Sequence, residues 1–236
     1  MRGLTDTRRL TAAARHDTCA FLGEQARGLA ADAARGAGHE AQAVAKAEVH
    51  AGASVQRVTT ILLARHGETD WNRDGRYQGH ADEPLNDTGR AQSRELAERL
   101  RGEPIVAVYA SDLRRASETG EIVARALELP FGVDPRLREI DVGSWQGRTP
   151  AELDGAVWDG ETYDRHRLRV VAAIHAIALE HPGECVLVVA HGGTLRRVQE
   201  AATGEGEPVF DNCRVWAVAV EDGHFRPAAV SNRARG

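Results

Sequence analysis

The chain has 236 residues, 42% of them hydrophobic and 28% charged, with a formal charge of −5. That balance excludes collagen-like and wholly disordered chains, and no apolar run reaches the roughly 20 residues of a membrane-spanning helix. A general nucleic-acid binder would be basic, and three scattered cysteines (Cys19, Cys185, Cys213) make neither a disulfide framework nor a CxxC metal site, so neither nucleic acid nor membrane is an expected partner and the cytoplasm is the expected compartment.

Residues 1–56 are rich in alanine, glycine and short charged side chains, and carry few large apolar anchors beyond Leu4, Leu10, Phe21, Leu22 and Leu29. Arg2, Arg8 and Arg9 precede no apolar core, so a secretory signal is not expected. Alanine favours helix, and Leu10, Ala13, Ala14, Asp17 and Phe21 form a weak helical stripe. This reads as a partly helical extension, loosely packed or acting as a docking or dimerisation arm, ahead of a domain spanning 57–236.

The pattern tightens from Val58. Val58–Ala64 is a short β-branched run that reads as a buried strand. Asn86-Asp87-Thr88 supplies N-cap residue types for a helix marked by Ala91, Leu96, Ala97 and Leu100. Ile105–Ala110 reads as a second strand, and Ala116, Thr119, Ile122, Val123, Ala126 and Leu127 form the face of a second helix. Leu168, Val171, Ala172, His175, Ala178 and Leu179 mark the buried face of a third, which puts His175 in the core. Cys185–Ala190 reads as a third buried strand before a helix from about Thr194 to Ala202. Val215–Val220 and a run near Phe225–Val230 close the chain around a turn at Asp222-Gly223. Alternating strands and helices predict a three-layer α/β/α domain with a mostly parallel sheet.

Two strand ends carry chemistry. The first strand runs into Arg65-His66-Gly67-Glu68-Thr69, and Cys185–Ala190 runs into His191-Gly192-Gly193-Thr194 and a helix start. Ligands in parallel α/β sheets bind beyond the carboxyl ends of the strands, and a helix N-terminus favours an anion. The strand Ile105–Ala110 ends in Ser111-Asp112-Leu113-Arg114-Arg115. Parallel strands therefore bring Arg65, His66, Arg114 or Arg115, and His191 to one mouth, a set suited to phosphate oxygens and without a carboxylate cage for a metal. Gly-Glu-Gly at 204–206 is a loop and no P-loop, because no Lys-Ser/Thr follows it.

Arg65-His66-Gly67-Glu68-Thr69 with Trp71-Asn72 resembles the signature of the histidine phosphatase superfamily, the phosphoglycerate mutase-like clan. The resemblance continues in order through Tyr77-Gln78-Gly79-His80, Ser111-Asp112-Leu113-Arg114-Arg115-Ala116, Leu137-Arg138-Glu139-Ile140-Asp141 to Gly147, and Val188-Val189-Ala190-His191-Gly192-Gly193, covering about Val58 to Val220. It implies that His66 is the nucleophile that becomes phosphohistidine. It implies a phosphate pocket of Arg65, Arg115 and His191, with Asn72 and Gly192 as further phosphate contacts and Gln78 and Gly79 on the substrate side. Glu139 is the implied proton donor. Arg115, directly before the alanine of its motif, is the implied phosphate ligand rather than Arg114.

The implied activity is that of a histidine acid phosphatase-type phosphoric monoester hydrolase of the small phosphatase branch. It needs no cofactor or metal and acts on a small phosphorylated metabolite. The short stretch from Trp145 to His191, mostly one helix after Asp159-Gly160-Glu161-Thr162, favours that branch. That segment stands where relatives carry Gly-Gly-Glu-Ser, so the substrate stays open. So do a 2,3-bisphosphoglycerate-dependent mutase, a non-catalytic phospho-ligand binder, a homodimeric state and the tautomer of His66.

Overall fold

The structure, a computed structural model, describes residues 57–206 and 210–229. The N-terminal extension at 1–56 and the end of the last strand at Val230 lie outside the described residues.

The two strands read from their apolar runs as the most buried form the centre. Strand β1 (Thr59–Arg65) and a later strand, Cys185–Ala190, pair in parallel from Thr60↔Cys185 to Arg65↔Ala190. After β1 come a one-turn helix α1 (Asp70–Arg73) and α2 (Asp87–Leu100). Asn86 caps α2, its side chain accepting the Gly89 N–H, as its residue type predicts. Strand β2 (Ile105–Ala110), helix α3 (Arg114–Leu127) and a three-residue strand β3 (Phe131–Val133) follow. Short 3-10 turns at Pro135–Leu137, Gly143–Trp145 and Pro150–Leu153 lead into the long helix α4 (Tyr163–Glu180). The strand Cys185–Ala190 is β4, and it enters α5 (Gly192–Thr203) directly. Strands β5 (Val215–Glu221) and β6 (His224–Ala228) form the closing hairpin. Its turn residues Asp222 and Gly223 both have positive φ, 49° and 74°, the signature of a tight hairpin.

The sheet order is β3-β2-β4-β1-β5-β6. Pairs β2–β3, β2–β4 and β1–β4 are parallel, while β1–β5 and β5–β6 are antiparallel. The predicted α/β/α architecture is present. On one face Ile61, Leu63, Val186 and Val188 pack with α4 and α5; on the other Leu62, Ala64, Leu187 and Val189 pack with α2 and α3. All six β4 positions are buried, so the strand is apolar throughout instead of alternating. A satellite core of Ile140, Val142, Trp145 and Leu153 supports the irregular segment between β3 and α4.

The face of α4 differs from the sequence expectation. Val170, Ala173, Ile174 and Ile177 are buried, with Ala178 common to both stripes, whereas Leu168 and Leu179 are 65% and 81% exposed. The helix carries two apolar stripes, and the sheet takes the one bearing the β-branched residues. His175 is accordingly half-buried at the helix flank, its ring 4.5 Å from that of Phe225, and not in the core.

Residues 1–56 carry few large apolar side chains and none of the motifs. A chain lacking Met1–Ser54 is therefore expected to stay folded and to keep its turnover. Circular dichroism and phosphate release check this, and an insoluble or inactive truncation would move the domain boundary.

Candidate active site

The parallel register sets the site. Arg65 lies opposite Ala190, so the next residues, His66 and His191, emerge side by side beyond the sheet. The His66 N–H donates to the Ala190 carbonyl at 2.9 Å, and the imidazole centroids are 5.2 Å apart at 60°. Both side chains are buried, with 3% and 0% exposure.

The local chain around His66 is held from several sides. The Gly67 N–H donates to Thr119 Oγ1 at 3.0 Å, and the Asn212 side chain donates to the His66 carbonyl at 2.8 Å. Gly67 packs so tightly on α2 that a Cβ there would sit 2.5 Å from the Gly89 carbonyl oxygen. Nδ1 of His66 lies 2.7 Å from the Gly67 carbonyl oxygen. A carbonyl only accepts, so Nδ1 carries the proton and the lone pair is on Nε2. This settles the tautomer that the sequence left open.

Burial, then the charge of Arg115, then that of Arg65, hold the His66 pKa well below the ordinary value. His191 is lowered well below it too, by burial, Arg115, His66 and Arg65 in that order. Neither ring nitrogen of His191 has a hydrogen-bond partner among the described residues. Buried polar groups are rarely left so, and an unpaired imidazole against two guanidinium groups fits an anion that accepts from it.

Of the two arginines that open α3, Arg115 is the one turned inward, at 1% exposure. Its guanidinium donates to the carbonyls of Ala81 at 2.7 Å and Gly79 at 2.8 Å, and its buried Nε–H has no partner among the described residues. Burial brings its pKa down to about 10, with Glu139 the largest opposing influence. It remains a cation near neutral pH. Arg114 is exposed, and its backbone N–H donates to Asp82. Arg65 donates to the Phe210 carbonyl.

The remaining expected residues are distributed as follows. Asn72 is the N3 residue of a capping box with Thr69, and its Oδ1 also accepts from Asn212 at 3.4 Å, which links it to the His66 loop. Gln78 is buried, with its side-chain oxygen unpartnered among the described residues. Gly79 has φ +51°, and a Cβ there would meet Val142 at 2.6 Å, so its place needs glycine. Gly192 opens α5, where His191 is the N-cap.

Glu139 reaches this helix start from the irregular segment. Its Oε2 accepts the Gly193 N–H at 3.0 Å and its Oε1 accepts the Ile140 N–H at 2.9 Å. A Cβ on Gly193 would fall 2.2 Å from Oε1, so that glycine makes room for the carboxylate. The helix N-terminus expected to meet an anion thus meets the carboxyl group of Glu139.

Several supporting residues were not legible in the sequence. Asn212 and Thr119 fix the His66 loop, and His166 on α4 is 1% exposed, with Nε2 3.4 Å from the Thr194 hydroxyl. Burial first, then Arg169 and Arg197, hold the His166 pKa well below the ordinary value. These contacts join residues distant along the chain, and no local spacing announces them.

The sequence pattern of the histidine phosphatase superfamily (branch 1) matches residues 61–233. The chain is 40% identical over 160 residues to the "Metal-independent phosphoserine phosphatase" of Arabidopsis thaliana, covering 60% of this chain and 67% of that one. It is 38% identical over 164 residues to "Phosphoglycerate mutase-like protein 4" of the same plant, covering 60% and 70%. Among solved structures, Bacillus stearothermophilus YhfR superposes with a TM-score of 0.67 at 33% identity, covering 72% of this chain and 96% of that one.

Because Arg115 lowers the His66 pKa, Arg115→Gln should raise it toward the ordinary imidazole value of ~6.5. Titration of the His66 ring by NMR reads this, and an unchanged or lowered value would remove Arg115 from its field.

Proposed function

The chain belongs to the histidine phosphatase superfamily (branch 1), and on that footing we propose that it hydrolyses the phosphate ester of a small metabolite through a phosphohistidine intermediate. One observation carries the reading: a buried, neutral His66 with its Nδ1–H held by Gly67, its Nε2 lone pair free, beside the cations Arg65 and Arg115.

Nε2 attacks phosphorus, the Nε2–P bond forms and the ester P–O bond breaks. Arg65, Arg115 and His191 receive the phosphoryl oxygens, with Asn72 and Gly192 at the margin and Gln78 and Gly79 toward the leaving group. Phosphoryl transfer asks the protein mainly for placement and charge, and two guanidinium groups supply the charge a metal would otherwise bring. Glu139 gives a proton to the departing alkoxide. Ionised, it then takes a proton from the water that attacks phosphohistidine, and inorganic phosphate leaves. Two backbone N–H groups hold its oxygens in place.

Water as the acceptor, rather than a second phosphoglycerate, is supported by the stretch from Trp145 to His191, which holds one 3-10 turn and the single helix α4 before β4. The proposed setting is the cytoplasm. No helix among the described residues is long and apolar enough to cross a membrane, and Cys185 and Cys213 are buried free thiols.

A metabolite phosphate panel, run in EDTA with phosphate release as readout, tests the activity. Turnover is expected without metal, and strict dependence on 2,3-bisphosphoglycerate would favour the mutase. His66→Ala should abolish turnover, and wild-type protein should trap an acid-labile, base-stable phosphoryl adduct on His66; an adduct on serine or cysteine would sink the mechanism. Vanadate, which adopts the five-coordinate geometry of the transferring group, should inhibit. Activity lost in EDTA and restored by Mg²⁺ would show that the two arginines do not suffice.

Glu139→Gln keeps size but cannot transfer a proton. It should slow an alkyl phosphate by about 10²–10⁴, while an aryl phosphate gives a burst of phenol followed by slow turnover. Equal slowing of both esters without a burst would assign the proton to another group.

A further inference from the structure

Glu139 is borne on neither strand nor helix. Regular hydrogen bonding fixes His66, His191 and Arg115, but the segment 138–142 that carries Glu139 lies between short 3-10 turns. Arg169, on α4, spans that gap. Its NH1 donates to the carbonyls of Arg136 at 2.9 Å and Arg138 at 2.7 Å, and its NH2 donates to the carbonyl of Glu139 itself at 2.7 Å. The same guanidinium makes a bidentate pair with Glu161, Nε to Oε1 at 2.8 Å and NH2 to Oε2 at 2.7 Å. The pair is mostly covered, with side-chain exposures of 20% and 10%.

Glu161 in turn grips the far side of the segment. Its N–H donates to the Asp141 carbonyl at 2.8 Å, and its Oε2 accepts the Asp141 N–H at 3.4 Å. The loop before it presses close, since a Cβ on Gly160 would lie 2.2 Å from the Asp141 carbonyl oxygen. His80 adds a third hold, its Nε2–H donating to the Glu139 carbonyl at 2.9 Å. The Glu139 backbone is thus fixed on both sides while its carboxylate rests on the Gly193 N–H.

We propose that Arg169, oriented by Glu161, is the positioning residue that places Glu139 for proton transfer. The inference rests on the reading of Glu139 as the proton donor. A planar fork that meets three carbonyls and one carboxylate fixes a backbone more closely than a single hydrogen bond does. General acid catalysis depends on heavy-atom distances of about 2.6–3.2 Å, so a segment free to shift by an ångström loses much of it. The pair does not touch the phosphoryl group, and phosphorylation of His66 by an ester with a good leaving group should not need it.

The test uses the full chain with β-glycerophosphate and 4-nitrophenyl phosphate. Arg169→Ala is expected to lower kcat on the alkyl ester by about 10–10²-fold, part of the 10²–10⁴ that a general acid supplies. The burst rate with the aryl ester should change by less than about threefold on the same argument. Arg169→Lys and Glu161→Gln should lie between wild type and Arg169→Ala, and they take its place if it fails to fold by circular dichroism. The double variant with Glu139→Gln should be no slower on the alkyl ester than Glu139→Gln alone, because a positioning residue has nothing left to position. A general structural role would slow both esters alike and multiply with Glu139→Gln; either result overturns the inference while leaving Glu139 as proton donor. If Glu139→Gln itself slows both esters equally, the assignment of Glu139 falls, and this inference with it.

Discussion

The parallel pairing of β1 with β4 is the constraint from which the site follows. Its register ends at Arg65 opposite Ala190, and that ladder sets two imidazoles next to each other at the carboxyl edge of the sheet. A slip of one residue in that ladder would part the two rings, so the register that packs the side chains of β1 and β4 into both cores also sets the histidine pair. Once the rings are placed, the cations gather where they would otherwise be unwelcome. Arg115 is buried without a salt bridge to any carboxylate among the described residues and is held by two backbone carbonyls. Its charge is left to act on whatever enters, and meanwhile, after burial itself, it helps to keep the neighbouring imidazoles neutral.

The site therefore has two kinds of support. The groups proposed to face the phosphoryl group come from strand ends and the starts of α3 and α5, which the sheet orders. The carboxylate comes from a segment that no ladder orders, and its place is fixed by side chains: Thr194, through its hydroxyl to the Arg138 carbonyl at 3.1 Å, and Arg169 with Glu161. Loops carry function on rigid scaffolds, and here α4 supplies that rigidity from outside the sheet.

What could be read in the sequence follows the same division. The strands at Ile105–Ala110 and Cys185–Ala190 have the bounds that their apolar runs indicate, and the alternation of elements gives the three layers. Strand β3 carries no sequence signal because it is three residues long and centred on Gly132. The sequence does not single out the buried face of α4, because two apolar stripes coexist on it and only contact with the sheet distinguishes them. Convergence of the expected site residues was legible because each follows a strand or opens a helix. Arg169 was not: it sits with Arg165 and Arg167 in a stretch that reads as a solvated face. Only the fold brings it against residues about 30 positions away.

Three imidazoles, those of His66, His166 and His191, are buried with their proton affinity reduced. In the unfolded chain each would titrate near ~6.5. As pH falls below that value the unfolded state takes up protons that the native state refuses, so the stability these sites contribute is present above ~6.5 and drains away toward the lower native pKa values. Every unit of depression at one ring is worth about 1.36 kcal/mol. The arrangement that keeps the proposed nucleophile unprotonated therefore also makes the folded protein vulnerable to acid. An anion bound between the arginines offsets their field on the rings, and as a ligand of the native state alone it stabilises the fold. The occupied enzyme should outlast the empty one in an acidifying compartment.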